Sequence, residues 1–269
     1  MIEFKYDKHN KYHRMGRAAL ITALSLWLFW WAWLMISLFA DNVAIPTPME
    51  TFAALIDFLK DGDTITGKSA WDYISSSLIK FLEGFALAFV VAVPLGLILG
   101  NFKPLRELAT PIIEVLRPIA PIAWAPIFII LFRYQVGAIL VVFVGIFFPL
   151  LTNIIFGVQK IDKTLIDAAK TLGASNMQIF VKVLIPSTIP YIMNGIKVGL
   201  GIGWMCIVAA ELYANPLGGI GFFVANMITN SAYPYAYAGL VIIAVLGLMT
   251  TGLADLLHRK VSKRMGVDA

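Results

Sequence analysis

Charged residues, cysteine and histidine are all scarce in this sequence of 269 residues. Only 14% of the residues are charged, roughly half the share that is usual in soluble domains. The one cysteine, Cys206, lies inside an apolar run, which excludes a disulfide within the chain and a cysteine-ligated metal site. The three histidines lie in polar stretches near the two ends. This placement argues against a histidine-ligated metal or a histidine proton relay inside a membrane.

Apolar residues, by contrast, make up 59% of the chain, more than a soluble core of this size could bury. They form six runs long enough to cross a bilayer as helices. The predicted spans are residues 18–40, 74–100, 110–132, 136–158, 191–213 and 235–257. We therefore predict an all-α integral membrane protein that forms a single domain over residues 1–269, with the lipid bilayer as its surroundings.

Basic residues cluster just before the first run and just after the last, at Lys5, Lys8, Lys11, Arg14, Arg17, Arg259, Lys260, Lys263 and Arg264. The positive-inside rule then places both termini in the cytoplasm, which requires an even number of spans. Because this rule already explains the basic tails, a nucleic-acid partner is not expected.

Charges near the span ends have candidate partners three residues away on the same helix. Lys80 and Glu83 could pair near the outer end of the second span. Glu114 and Arg117 could pair near the inner end of the third span, although a gate or cavity-lining role for them stays open. Four prolines interrupt that third span: Pro111, Pro118, Pro121 and Pro126. Broken helices inside a membrane belong where protein or water surrounds them.

The fifth span carries four glycines, Gly195, Gly199, Gly201 and Gly203, which suit a tight helix contact or a cavity wall. Glu211 is expected near its outer end, either as an interfacial anchor or on a transport path. The external stretch that follows contains a short apolar segment, Phe222–Ile228, which predicts a re-entrant or gate helix because it is too short to span.

The segment Gly62–Ser69 matches the P-loop pattern G-x-x-x-x-G-K-S. A working P-loop needs a preceding strand, a following helix and a sheet. The external stretch between the first two spans is too short for such a domain and faces away from cytosolic ATP. We therefore interpret the match as a glycine-rich surface turn, so that this chain is not an enzyme.

The one long polar interval between spans, residues 162–186, predicts two short helices joined by a glycine. Asp162 and Ser175 are candidate N-caps, and Gly173 fits the position that ends the first helix. The first helix carries an apolar face at Leu165, Ala168, Ala169 and Leu172. The second carries one at Met177, Phe180, Val181 and Leu184. Such an amphipathic hairpin could be gripped by another protein or lie on the bilayer surface.

The order Asp167-Ala168-Ala169, Gly173 and Val183-x-Ile185-Pro186 resembles the EAA loop of binding-protein-dependent ABC importer permeases, with Asp in place of the usual first Glu. The resemblance implies the type I importer permease fold with six transmembrane helices. It also implies a multi-pass protein of a prokaryotic inner membrane. The residues that would couple to a cytoplasmic ATPase are Asp167, Ala168, Ala169, Leu172, Gly173 and Pro186.

Further blocks narrow the resemblance to one branch. The segment from Glu114-Val-Leu-Arg117-Pro118 to Pro126 is similar to a segment of the nitrate, sulfonate and taurine permeases. Trp204 and Glu211 fit a second block of that family. The resemblance implies a translocation path or gate formed by Arg117, Trp124, Gly199, Gly203, Trp204 and Glu211.

The resemblance also implies the partners: cytoplasmic ATP-binding cassette subunits, an extracytoplasmic substrate-binding protein and a second permease copy. ATP and Mg²⁺ would bind to the ATPase subunits, and this chain would bind no cofactor. The expected substrate is a small anion of the nitrate, sulfonate, taurine or bicarbonate class. A secondary transporter or channel is the alternative, but the charges lie at span ends rather than at mid-membrane, and no inverted repeat is evident.

Overall fold

The computed structural model describes residues 11–39, 43–213 and 218–264, and these ranges contain helices and loops but no strand. The helices are α1 Lys11–Phe39, α2 Pro48–Asp61, α3 Ala70–Asn101, α4 Lys103–Leu116, α5 Pro121–Gln159, α6 Lys163–Thr171, α7 Asn176–Ile179, α8 Ile185–Glu211, α9 Ile220–Thr229 and α10 Tyr233–Arg264. A π-helical turn, Phe180–Leu184, joins α7 to α8. The predicted all-α fold class is confirmed.

Five of the described helices are long and apolar enough to cross a membrane. The longest, α5, is not straight, because Arg133 adopts a non-helical φ of 64°. A side chain placed on Gly137 would meet the backbone of Ile129, eight residues earlier, so the helix folds back on itself at Arg133. The arms Pro121–Phe132 and Tyr134–Gln159 are therefore antiparallel, and the chain's path accommodates six passes. The number of membrane crossings stays a prediction.

The predicted third span, 110–132, is not one helix. Its first part belongs to α4, which already begins at Lys103, because Pro104 occupies a first-turn position where its missing N–H costs nothing. The gap of residues 101–109 between the second and third predicted spans therefore shrinks to Phe102. After α4 ends at Leu116, four residues separate it from α5. Pro118 and Pro121 thus mark a real break, whereas Pro111 and Pro126 lie inside α4 and α5.

The hairpin of residues 162–186 lies at the same end of the molecule as the start of α1 and the end of α10. Two contacts order α8 against α10: Lys197 meets Asp255, and Trp204 meets Thr250. Residue numbers rise along one helix as they fall along the other, so the helices are antiparallel. The end of α1 contacts the start of α10, where Trp33 stacks on Tyr237 at 6.0 Å.

Close helix contacts in the core depend on glycine. Gly84, Gly96 and Gly100 of α3 lie directly against branched side chains of α5. Gly195, Gly199 and Gly203 of α8 lie against Leu150 and Ile146, which also belong to α5. The helix α5 thus packs between α3 and α8, and the glycine face predicted for the fifth span forms a tight helix contact.

At the opposite end from the hairpin, α2 and α9 cover the outer ends of α3 and α10. Their shared core is aromatic: the rings of Phe58 and Phe223 stack at 4.0 Å, and Tyr73 packs against both. The helix α2 begins with a capping box formed by Thr47 and Glu50. The short apolar helix predicted over 222–228 is confirmed as α9.

Candidate functional site

The hairpin of residues 162–186 is built from local capping interactions. The carboxylate of Asp162 accepts a hydrogen bond from the backbone N–H of Thr164 at 2.9 Å and so caps α6. The hydrogen bonds from Thr164 lower the pKa of Asp162 below its ordinary value, which keeps the cap charged. Ser175 caps α7 in a capping box with Gln178. Both predicted caps are confirmed.

Gly173 reverses the chain between the two helices. Its φ is 78°, in the left-handed region where a Cβ is unfavourable. Its N–H donates to the carbonyl of Lys170 at 2.8 Å, and the N–H of Ala174 donates to that of Ala169 at 3.0 Å. This pair of bonds is the Schellman motif, which satisfies the last carbonyls of α6. The turn is therefore fixed by the backbone requirement at one glycine.

The outer surface of the hairpin is apolar and uncovered. Leu172 is 88% exposed and Met177 is 70% exposed, and Leu165 is exposed beside them. Asp167 and Ala168 are also exposed, whereas Ala169 and Pro186 are partly buried. We call the exposed set Leu165, Asp167, Ala168, Leu172 and Met177 the hairpin surface.

The predicted apolar face of the second helix is divided. Met177 and Val181 are exposed, but Phe180 and Leu184 turn toward the core, and Ile166 of α6 lines the inner side with them. The reason is the π-helical turn at 180–184, in which the N–H of Ile185 bonds to Phe180 and one extra residue shifts the register. A strict 3.6-residue period does not hold across it.

At the other end of the molecule, Glu211 is the centre of a buried polar network. Its carboxylate accepts hydrogen bonds from the ammonium of Lys80 at 2.9 Å, the hydroxyl of Ser77 at 2.7 Å and the N–H of Gly221 at 3.1 Å. Lys80 also donates to the carbonyl of Gly218 at 2.7 Å, and the N–H of Ile220 donates to Ser77. These bonds fix the start of α9 to α3 and α8.

This network corrects two expectations. The ammonium of Lys80 pairs with Glu211, 131 residues away, and not with Glu83. Glu211 is only 1% exposed and is therefore not an interfacial anchor in contact with the headgroups. Both ions are buried, and each balances the charge of the other. Their remaining hydrogen bonds are made with Ser77, Gly218 and Gly221.

Of the residues predicted for the path, Gly199, Gly203 and Trp204 contact other helices of this chain, whereas the ring contact of Trp124 lies within α5. Gly199 and Gly203 pack on Ile146, and Trp204 stacks on Phe81 at 4.6 Å while its indole N–H donates to Thr250 at 2.8 Å. Trp124 stacks on Phe128 at 5.6 Å. Their role in a path stays a prediction.

Arg117 occupies a different environment, at the break between α4 and α5. It lines a cavity of about 280 Å³ between the two arms of α5 and α8. Within the described ranges the ion pairs are Lys80–Glu211, Lys103–Glu107, Lys170–Asp167 and Lys197–Asp255. The expected pair of Glu114 with Arg117 is not formed, because α4 ends at Leu116 and Arg117 faces the cavity instead.

The sequence matches the family model of the binding-protein-dependent transport system inner membrane component over residues 92–263, which is more than half of the chain. The chain belongs to this family. The match includes the hairpin, the cavity beside Arg117 and the buried Glu211.

Several curated relatives cover most of the permease. A nitrate import permease protein of Leptolyngbya laminosa is 29% identical over 91% of this chain and 88% of its own length. The taurine transport system permease protein of Escherichia coli is 30% identical over 86% of this chain and 83% of its own length. A bicarbonate transport system permease protein of Synechococcus elongatus is 32% identical over 78% of this chain and 76% of its own length. The nitrate, taurine and bicarbonate branch suggested by residues 114–126 is therefore confirmed.

Among solved structures, the permease is similar to a chain of the MetNI methionine ABC transporter in an inward-facing conformation. The TM-score is 0.60 at 22% identity, over 70% of the permease and 94% of that chain. This similarity confirms the fold of a type I importer permease. The permease is thus the membrane-spanning translocation subunit of an ABC importer in the inner membrane, and a partner ATPase hydrolyses the ATP.

The P-loop-like segment, Gly62–Ser69, is organised around Asp63. The carboxylate of Asp63 accepts hydrogen bonds from the N–H of Ile65 and from the hydroxyls of Thr66 and Tyr73. Partial burial would raise the pKa of Asp63, but these hydrogen bonds outweigh it and lower the pKa. The N–H of Asp63 itself bonds to the carbonyl of Lys68 at 2.8 Å. A carboxylate occupies the centre of this loop, where a P-loop would hold phosphate.

We expect Lys68→Ala to leave ATP hydrolysis and transport by the assembled importer within about twofold of wild type, as for an ordinary surface substitution. The matched variant Asp63→Ala removes three hydrogen bonds and should lower the thermal midpoint of the purified permease. Loss of ATP hydrolysis in Lys68→Ala would show that the loop binds nucleotide after all.

Sequence reasoning missed the polar side chains that the fold brings together inside the membrane. Asn194 donates to the amide oxygen of Asn153 at 2.8 Å, and Asn153 donates to the carbonyl of Pro149. Ser77 was also missed as a ligand of Glu211. The sequence does contain a signal for this contact, because two asparagines inside apolar spans both need hydrogen-bond partners. They bond to each other between α5 and α8.

Proposed function

We propose that the permease works as a homodimer, with the translocation path between the two copies. The supporting observation is the polarity of one uncovered face. Arg117 and Asn194 are both exposed there, although they lie within the predicted spans. A charged side chain facing lipid is costly, so protein or water must cover this face. Helix α4, which has no buried residue, borders the same face and would be covered by a second copy.

We further propose that the ATPase docks on the hairpin surface. The observation that carries this proposal is the exposure of Leu172 and Met177 on a rigidly capped hairpin at the cytoplasmic end. An apolar helix face of this kind fits a groove in a partner protein. Asp167 of the same helix has 73% of its side chain exposed and is paired only with the exposed Lys170 at 3.9 Å, so a basic group of the partner could reach it.

In this proposal ATP and Mg²⁺ bind to the ATPase, and the permease binds no cofactor of its own. Closure of the two ATPase subunits would draw the two hairpins together and open the path outward. A loaded binding protein would dock at the outer end, on α2 and α9. Because a ligand shifts a conformational equilibrium only through differential affinity, the driving free energy comes from ATP and from this docking.

The proposed substrate is a small anion of the nitrate, sulfonate, taurine or bicarbonate class. The support is that three relatives are permeases for nitrate import, taurine transport and bicarbonate transport. Within this class, the binding protein would select the substrate that reaches the path.

The docking proposal predicts that Gly173→Val lowers the amount of ATPase that copurifies with the permease by at least about tenfold. Valine is β-branched and does not tolerate the left-handed conformation that Gly173 adopts, so the hairpin should open. The amount of ATPase per permease can be measured after purification from membranes that express both subunits.

Gly173→Asn is the matched control, because asparagine tolerates the same backbone conformation and ends helices at this position. A side chain at residue 173 would meet no atom within 4 Å, so bulk alone disturbs nothing in this chain. Asn should retain docking and Val should lose it. Equal copurification of the ATPase with both variants would rule out the hairpin as the docking element.

A further inference from the structure

The cavity beside Arg117 lies inside the region of the membrane spans. It is enclosed by the break after α4, both arms of α5 and the middle of α8. Its lining includes Arg117, Pro149, Thr152, Asn153 and Val198. Arg117 and Pro149 line the same cavity, and Pro149 lies ten residues before the inner end of α5. That distance is about 15 Å along the helix, within a hydrocarbon core of roughly 30 Å.

The charge of the cavity is positive. Arg117 supplies a guanidinium group that is paired with none of the carboxylates in the described ranges, and no lining residue is acidic. An ionised side chain at this depth normally faces a partner or a water-filled path and marks a functional site. The counter-charge must therefore come from outside this chain's described side chains.

Neutral N–H donors accompany the guanidinium. The amide oxygen of Asn153 accepts from Asn194, and one amide hydrogen of Asn153 goes to the carbonyl of Pro149. These two hydrogen bonds fix the orientation of the Asn153 amide, because its oxygen must face Asn194 and its nitrogen must face Pro149. The second N–H of that nitrogen remains available as a donor. The hydroxyl of Thr152 donates to the carbonyl of Phe148, so it orders the wall of the cavity but contributes no donor to a ligand.

We propose that Arg117 and Asn153 form an anion subsite on the translocation path that takes a small oxyanion. This inference rests on the proposed function and locates the site of the anionic substrate within the membrane. The planar guanidinium matches two oxygens of a nitrate, bicarbonate or sulfonate group, and the amide N–H of Asn153 supplies a further donor. The volume of about 280 Å³ lies just below the range of roughly 300–1,000 Å³ for drug-sized ligands, so it suits a small one.

The test uses proteoliposomes that contain the permease with its ATPase and its binding protein, and it measures ATP-dependent uptake of nitrate, bicarbonate and taurine separately. Arg117→Gln should lower the maximal uptake rate of the transported anion by at least about tenfold. Arg117→Lys should retain more uptake than Arg117→Gln, because the charge remains while the bidentate geometry is lost. Asn153→Asp should lower uptake by a similar factor, because it places a negative charge in the subsite.

Lys103→Gln is the control: it removes one positive charge from α4 at an exposed position outside the cavity and should change uptake by less than twofold. Full uptake by both Arg117→Gln and Asn153→Asp would overturn the subsite and leave the importer function standing. Loss of ATPase copurification in these variants would overturn it in favour of a structural role. Uptake of none of the three anions by the wild-type importer would overturn the proposed substrate class and the subsite together.

Discussion

Glu211→Ala is expected to lower the free energy of unfolding of the permease by about 3–5 kcal/mol, because it leaves the ammonium of Lys80 buried without its counter-charge. The side chain of Lys80 is 6% exposed and that of Glu211 is fully buried. The substitution also removes the acceptor for Ser77 and for the N–H of Gly221, and each buried donor left unpaired adds to the cost. The start of α9 should then detach from α3 and α8.

The double variant Lys80→Met/Glu211→Leu tests whether the loss comes from the orphaned charge. It replaces both ions with apolar groups of similar length, which removes the orphaned charge but leaves Ser77 and the N–H of Gly221 without their acceptor, so its stability should lie between those of Glu211→Ala and wild type. The thermal midpoint in detergent is measured for purified wild-type permease, for Glu211→Ala and for the double variant. Lys197→Ala is the control, since it breaks a half-exposed pair with Asp255 and should cost less than about 1 kcal/mol. A Glu211→Ala midpoint no lower than that of Lys197→Ala would contradict the buried-pair account.

Gly84→Leu is expected to destabilise the permease by about 1–3 kcal/mol or more through overpacking between α3 and α5. A Cβ at residue 84 would lie 2.7 Å from the Cβ of Val142 and 2.8 Å from the carbonyl oxygen of Ile139. Neither atom can move by a rotamer change, because one is fixed to the backbone and the other belongs to it. The helices must separate, and the contacts that their core makes would be lost.

Gly252→Leu provides the matched comparison, since it makes the same change within a helix, at a position on α10 where a Cβ meets no atom within 4 Å. Both variants gain the same helix propensity, so the difference between their thermal midpoints reports packing alone. Gly252→Leu should stay within about 0.5 kcal/mol of wild type. Equal midpoints for the two variants would mean that α3 and α5 are less closely packed than the contact distances require.

The hairpin could be predicted in detail from the sequence because its determinants are local. Caps at Asp162 and Ser175 and a left-handed turn at Gly173 follow from residues no more than five positions apart. The same locality misled the assignment of charge partners. Lys80 was paired with Glu83 by helical spacing, whereas its partner comes from another helix. Pairing across helices depends on depth in the membrane, and both Lys80 and Glu211 lie at the outer end.

The third span shows a second limit of local patterns. Prolines predict that a helix breaks, but they do not say where the two segments go. The spans predicted at 110–132 and 136–158 leave only a short gap at residues 133–135, and the fold-back lies there. Its consequence, a cavity between the two arms of α5 with Arg117 facing it, depends on how those arms pack on α8.

The second half of the hairpin continues without a loop into α8, so that one rod of 36 residues runs from Asn176 to Glu211. Its length is about 54 Å at the rise of an α-helix, enough to reach from one aqueous compartment to the other. The outer tip is clamped to α9 by Glu211, and the inner tip carries the capped turn. Under the docking proposal, a push on the outer cap of this subunit would reach the ATPase along this one continuous rod, which is interrupted by the π-helical turn at 180–184 and by Pro190 inside α8.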